Sequence, residues 1–136
     1  TNKYNIWAST IDQQDVDVMK ERIGNGANLL ENHVFQFDFL NDDFSKLPEE
    51  LQKIVNDENK RKKLVIYINP PYAEADNRKG EGRSGVANSM VHQKYDEFMG
   101  YGRRELCIQF LTRIFKEIKR CQLGFFFKLK NHMVFI

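Results

Sequence analysis

Four consecutive residues, Asn69-Pro70-Pro71-Tyr72, carry the most specific chemistry in this sequence. Each proline fixes φ at about −65° and removes a backbone donor. Pro71 also drives Pro70 out of the α region. Such a segment can neither continue a strand ladder nor open a regular helix, so its carbonyls are left free to accept hydrogen bonds. Asn69 adds a side-chain amide oxygen, also an acceptor. Tyr72 adds a flat ring. Two acceptors beside an aromatic face suit a planar group bearing an NH₂. The competing reading is a plain turn, since Asn and Pro are common turn residues. The position argues for chemistry. The tetrapeptide follows the apolar run Leu64-Val65-Ile66-Tyr67-Ile68, and in open parallel sheets ligands bind beyond the carboxyl ends of the strands.

Two acidic positions fall at comparable places. Asp12 follows the apolar stretch Tyr4 to Ile11, and Asp38-Phe39 lies within the segment His33 to Leu40. Asp12 reads equally well as the N-cap of a helix from Gln13 onward. Asp38 has apolar neighbours, among which a carboxylate needs a partner. Gly80-Glu81-Gly82-Arg83-Ser84-Gly85 matches the letters of a dinucleotide-binding loop. It follows a polar segment where that motif requires a strand, so it reads as a loop and not a phosphate cradle. His33, His92 and His132, and the cysteines Cys107 and Cys121, show no metal-ligand spacing. Arg78, Lys79, Arg83, Arg103 and Arg104 suit phosphate contacts, yet interleaved acids make a solvated surface an equal reading.

The elements that would position these residues alternate. A strand ending near Thr10 is followed by a helix over Gln13 to Ile23, with Val16, Met19, Lys20 and Ile23 at helical spacing, closed by Gly24-Asn25-Gly26. His33 to Leu40 alternates as a strand with Phe35, Phe37 and Phe39 on one face. A helix opens at Pro48-Glu49-Glu50, where acids suit the positive end of the dipole, and buries Leu51, Ile54 and Val55. Asn56 to Lys63 is charged and solvated. Leu64 to Ile68 reads as a strand covered on both faces. From Ala73 to Arg104 periodicity is lost, which predicts a long mobile loop with room for a short helix around Val91 to Met99. A helix over Arg104 to Lys119 follows, with Leu106, Cys107, Phe110, Leu111, Ile114, Phe115 and Ile118 as its core stripe. Leu123 to Phe127 and Met133 to Ile136 read as closing strands. Trp7 and Tyr67 read as packing residues.

This order, β-α-β-α-β-loop-α-β, predicts a parallel sheet with helices on both faces. The 136 residues are 41% hydrophobic and 29% charged, the composition of about one globular domain. It excludes disorder and a disulfide-dense scaffold. The longest apolar run is too short for a membrane-spanning helix, which needs about 20 apolar residues. The net charge of +2 permits a nucleic-acid partner without arguing for one, and no concentrated basic face is evident. Two cysteines without spacing suit a reducing, cytoplasmic location. The chain opens at Thr1 without an initiator Met and closes on an apolar stretch, so a fragment of a longer protein is expected.

The run Leu64 to Tyr72 resembles the catalytic motif of S-adenosylmethionine-dependent amino-methyltransferases, and most of all the N6-adenine DNA methyltransferases of bacterial restriction-modification systems. The resemblance implies a Rossmann-like (class I) methyltransferase fold, of which residues 1–136 form part of the catalytic domain. It implies S-adenosyl-L-methionine as cofactor and double-stranded DNA as partner, with an adenine flipped into a pocket. Asn69, Pro70, Pro71 and Tyr72 are then catalytic: the adenine amine donates to the Asn69 side chain and the Pro70 carbonyl, and Tyr72 stacks on the base. Asp12 corresponds to the acid that holds the cofactor ribose, and Asp38 and Phe39 to the pair that holds its adenine. No metal is implied. The family's glycine-rich first motif is expected upstream of Thr1, and recognition or nuclease modules in other domains or subunits, so this chain alone is not expected to complete the cycle. Similar tetrapeptides serve methyltransferases of RNA bases and of protein glutamine, and a non-catalytic piece of the same fold is a further alternative.

Overall fold

The computed structural model describes residues 2–70 and 89–125. Pro71, Tyr72, the glycine-rich stretch 80–85, Arg78, Lys79, Arg83, His132 and the expected strand Met133 to Ile136 lie outside the described residues. The chain divides into two compact units, Thr1–Gln52 and Lys53–Ile136.

The first unit is a β-α-β arrangement. Strand β1 (Ala8–Thr10) leads into helix α1 (Gln13–Gly24) and returns as β2 (Val34–Gln36). The two strands pair in parallel, Ala8 with Val34 and Thr10 with Gln36. Asp12 caps α1, its carboxylate accepting from Gln14 N–H at 2.8 Å. The helix stops at the expected glycines, and Gly26 takes a φ of 99° that other residues rarely adopt. Val16, Val34, Phe37, Leu40 and Leu47 are the buried apolar side chains. His33 is buried too. Its ring stacks on Trp7 with centroids 3.6 Å apart and planes 12° from parallel. Its Nδ1 lies 3.0 Å from the Ile6 carbonyl, which can only accept, so Nδ1 carries the proton.

Strand β2 is shorter than the alternation predicts. Leu40 and Asn41 N–H groups donate to Asp38 Oδ1, and Asp38 N–H donates to Asp42 Oδ2. These side-chain bonds offer the backbone an alternative to the ladder and turn the chain at Asp38. Phe35, Phe37 and Phe39 still meet: Phe37 lies 6.3 Å from Phe35, 6.4 Å from Phe39 and 6.3 Å from Phe44.

Helix α2 (Glu49–Val55) opens after Pro48, and the division between units falls within it. The second unit continues with the short α3 (Glu58–Arg61), capped by Asp57, in the segment read as merely solvated. The bond from Lys60 N–H, with another from Asn59, holds the Asp57 carboxyl below its usual range. Strand β3 (Val65–Ile68) pairs in parallel with β4 (Gln122–Phe125), Val65 opposite Gln122 and Ile68 opposite Phe125. Between them run α4 (Met90–Met99), a 3-10 turn over Gly100–Arg104, and α5 (Leu106–Glu117). Helix α4 falls within the stretch read as a long loop, at the place where a short helix was allowed.

Mixed α/β architecture with parallel pairing is thus present, as two two-stranded sheets among the described residues. Strand β3 departs from expectation. Val65 and Tyr67 are exposed, at 61% and 65%, so this strand is not covered on both faces. Among the described residues of this unit its one ladder partner is β4. Tyr67, read as a packing residue, lays its ring edge over Gly124, where a Cβ would sit 3.1 Å from the ring.

Candidate functional site

Three of the singled-out positions follow the carboxyl ends of strands. Asp12 comes two residues after Thr10 in β1, and Asp38 two residues after Gln36 in β2. The parallel register therefore brings both to one edge of the first sheet. Two bonds tie that edge together: Phe37 N–H donates to Thr10 O at 2.8 Å, and Gln36 Nε2 donates to Ile11 O at 2.9 Å. Asp12 is exposed, and capping uses only its Oδ1. Its second oxygen remains an acceptor of the kind a vicinal diol engages. Asp38 is more heavily committed. Its Oδ1 takes two backbone N–H groups, and its Oδ2 takes Asn41 Nδ2 at 2.8 Å. A carboxylate offers about four lone-pair sites, so one acceptor site is left, enough for a single amine N–H. The partner that an apolar neighbourhood demands is supplied by the turn itself. Phe39 is half-buried, its ring 6.3 Å from that of Phe44. These are acceptors and rings of the kind that a diol and an amino-substituted base would engage.

In the second unit, Asn69 and Pro70 follow β3 directly. Pro70 is buried and Asn69 is exposed. The buried proline anchors the segment, and Asn69 beside it, although exposed as a residue, has an interaction of its own within the protein.

Sequence periodicity missed the best-connected polar cluster, which joins α4 to α5. In α5 the core stripe of Leu106, Cys107, Ile114 and Ile118 is buried as expected, but Phe115 is exposed. Gln109, Thr112 and Arg113 are buried instead. Ser89, fully buried, caps α4 by accepting from His92 N–H and donates to Gln109 Oε1 at 2.7 Å. Gln109 Nε2 donates in turn to the Arg103 carbonyl at 2.8 Å. One turn on, Glu117 accepts from Arg113 Nε at 2.9 Å, from Lys94 Nζ at 2.8 Å and from the Tyr95 hydroxyl at 2.8 Å. Burial pushes the Glu117 carboxyl up, but these three bonds outweigh it and hold it below the ordinary carboxylate range. The Lys94 ammonium is raised by its bond to Glu117 and then by Tyr95. The Tyr95 hydroxyl is raised by burial and then by Glu117. The cluster is a satisfied structural lock between two helices. The one signal that could have found it is the polar set Gln109, Arg113 and Glu117 at i, i+4, i+8 along an otherwise apolar helix.

Arg103, a candidate phosphate contact, pairs with Asp96 at 3.0 Å, while Arg104 is exposed. His92 Nε2 sits 3.3 Å from the same Asp96. Cys107 is buried, and burial raises the half-buried Cys121 thiol, so neither is set up as a nucleophile. Among the described residues no group of three His, Cys, Asp or Glu is placed to hold a metal ion. None of the described helices is long and apolar enough to cross a membrane. Comparison with protein-family models, with curated proteins and with solved structures finds no match to this chain.

Proposed function

We propose that this chain is part of an S-adenosylmethionine-dependent methyltransferase that modifies the N6 amine of adenine in DNA, within a bacterial restriction-modification system and a cytoplasmic setting. The observation that carries the reading is the ledge. A strand, β3, runs directly into Asn69-Pro70, with Pro70 buried and Asn69 an exposed residue at the strand's carboxyl end. In this reading the amine of a flipped-out adenine donates one N–H to the Asn69 side-chain oxygen and the other to the Pro70 carbonyl. Both bonds draw the nitrogen lone pair away from conjugation with the ring and fix its direction. Pro71 holds the ledge rigid and Tyr72 stacks on the base. S-adenosylmethionine, when bound, supplies an electrophilic methyl group on a sulfonium. Asp12 holds its ribose hydroxyls with the oxygen that capping leaves over. Asp38 accepts from its adenine amine at the one remaining acceptor site, with Phe39 against the ring.

The experiment is methyl transfer from labelled S-adenosylmethionine by the full-length protein, offered duplex DNA, RNA and protein acceptors side by side. Label is expected in DNA adenine. Asn69→Ala removes one of two acceptors and is expected to lower turnover by roughly a hundredfold or more, the usual loss for one preorganised electrostatic partner. Near-normal turnover in that variant refutes the ledge. Label in RNA or in protein glutamine keeps the ledge and overturns the DNA substrate.

A further inference from the structure

The division into units exposes a charge separation that the whole-chain value of +2 conceals. Residues 1–52 hold four Lys and Arg against ten Asp and Glu, a net of −6. Residues 53–136 hold seventeen against nine, a net of +8. Three of the six acids that the structure describes in the second unit are ion-paired: Glu117 with Lys94 and Arg113, Asp96 with Arg103, and Glu58 with Arg120. Lys62, Lys63, Arg104 and Lys119 are exposed and form no ion pair among the described residues. A surface of this sign raises the local concentration of a polyanion.

On this basic unit lies an exposed aromatic pair. Phe98 of α4 and Phe115 of α5 stack with centroids 5.9 Å apart and planes 11° from parallel. They remain 54% and 65% exposed. Lys116 places its ammonium 3.7 Å from the Phe98 ring centroid. The lysine ammonium lies over the Phe98 ring and 6.0 Å from the Phe115 centroid, so the exposed Phe115 ring beside it combines the two features by which proteins hold unpaired nucleic acid: a face for base stacking and a positive charge for the backbone. Paired bases present only their edges, so a duplex cannot use the rings.

We propose that the Phe98–Phe115 pair with Lys116 is a docking surface for a single strand of DNA, which stacks an unpaired base on the exposed Phe115 ring, next to the lysine-covered Phe98, and lays its phosphates on the basic second unit. The choice of DNA over RNA rests on the function proposed above; the stacking and the charge do not.

The test is fluorescence anisotropy of the full chain with a labelled single-stranded DNA, the matching duplex and the matching RNA, without S-adenosylmethionine. The single strand is expected to bind most tightly and to weaken as salt rises. Phe115→Ala and, separately, Lys116→Glu are each expected to lower its affinity by about tenfold, in the range for loss of one stacked base, with helical circular dichroism unchanged because both side chains are at the surface. Unchanged affinity in both variants, tighter binding of the duplex or the RNA, or self-association of the chain with no binding of any strand at low salt overturns the proposal. Since no cofactor or methyl acceptor chemistry enters this assay, its failure leaves the Asn69 ledge untouched, and failure of Asn69-dependent transfer leaves this surface standing.

Discussion

Removing the carboxylate of Glu117 tests the lock between α4 and α5 in quantitative terms. Its side chain is 14% exposed and that of Arg113 only 1%. The three bonds it accepts are not equivalent. Lys94 is 55% exposed, so its ion pair contributes roughly 0–1 kcal/mol. The bond to Arg113 is different, because truncating one partner of a buried charge pair costs about 3–5 kcal/mol. Arg113 keeps other interactions within the protein, which puts Glu117→Ala at the lower end, about 3 kcal/mol. Glu117→Gln preserves shape and an acceptor while deleting the charge, and is expected to cost about half of that, given the roughly twofold strength of charge-assisted bonds. With a urea slope of about 2 kcal/mol/M, the alanine variant moves the midpoint of the far-ultraviolet dichroism transition down by roughly 1.5 M. The pH dependence has a fixed sign. The folded-state pKa of Glu117 lies below its ordinary value, so its contribution is complete above the usual carboxylate range and is lost as pH falls through the depressed value. Wild type and Glu117→Gln should therefore converge in stability in strong acid and diverge above about pH 5. A shift of less than about 0.5 kcal/mol in Glu117→Ala, or a difference between wild type and Glu117→Gln that does not depend on pH, refutes the lock.

Three further outcomes follow from the geometry. Asp12→Ala removes the α1 cap and should destabilise the protein by about 1 kcal/mol, whereas Asp12→Asn keeps the cap; calorimetry with S-adenosylmethionine should nonetheless show weaker binding by Asp12→Asn, and equal binding would leave Asp12 a cap only. His33→Ala removes a buried ring from Trp7 and a hydrogen bond from the Ile6 carbonyl, an expected loss of about 3 kcal/mol in chemical denaturation followed by the fluorescence of the single tryptophan. Gly124→Ala brings a Cβ to 3.1 Å from the Tyr67 ring, but that ring is mostly exposed and can yield, so the reduced entropy of the unfolded chain should leave the variant within about 0.5 kcal/mol of wild type in thermal melts; a loss above 2 kcal/mol would mean the ring is held in place.

Much of the first unit was legible because its signals are local. The cap, the period of Val16 to Ile23 and the terminal glycines act within a few residues of one another, and α1 falls where they put it; β1 ends at Thr10 as expected but starts only at Ala8, the beginning of the apolar stretch forming a 3-10 helix over Lys3–Asn5. The early end of β2 was not legible, because alternation in Phe35, Phe37 and Phe39 continues past the point where Asp38 and Asp42 capture the backbone. In α5 the hydrophobic period located the helix but misjudged its faces. Phe115 is expected inward and lies outward, while Arg113 lies inward, where Glu117 one turn along the same helix accepts its bond and Lys94 and Tyr95 of α4 complete the polar face. The α4 partners are more than twenty positions from Glu117, beyond a short window; only the polar spacing of Gln109, Arg113 and Glu117 within α5 hints at the cluster. The charge separation was invisible for a different reason: a sum over the whole chain cancels two opposite halves.

The candidate acids have structural roles that leave room for the proposed ligand role in the same residue. A helix cap needs a single oxygen, and a carboxylate has two; Asp12 gives Oδ1 to Gln14 and keeps Oδ2 in an exposed position. The cap in fact prepares the second oxygen. It fixes the side-chain rotamer and sets the carboxylate at the N-terminus of α1. Asp38 follows the same logic with a narrower margin, since its turn fixes the carboxylate with three bonds and leaves one acceptor site. An incoming amine then meets an oxygen that has no rotamers left to lose, which lowers the entropic cost of binding. Under the proposed function, capping and ligand binding would therefore be complementary at this edge: the bonds that make each acid look structural are the ones that would hold it in place for a nucleoside.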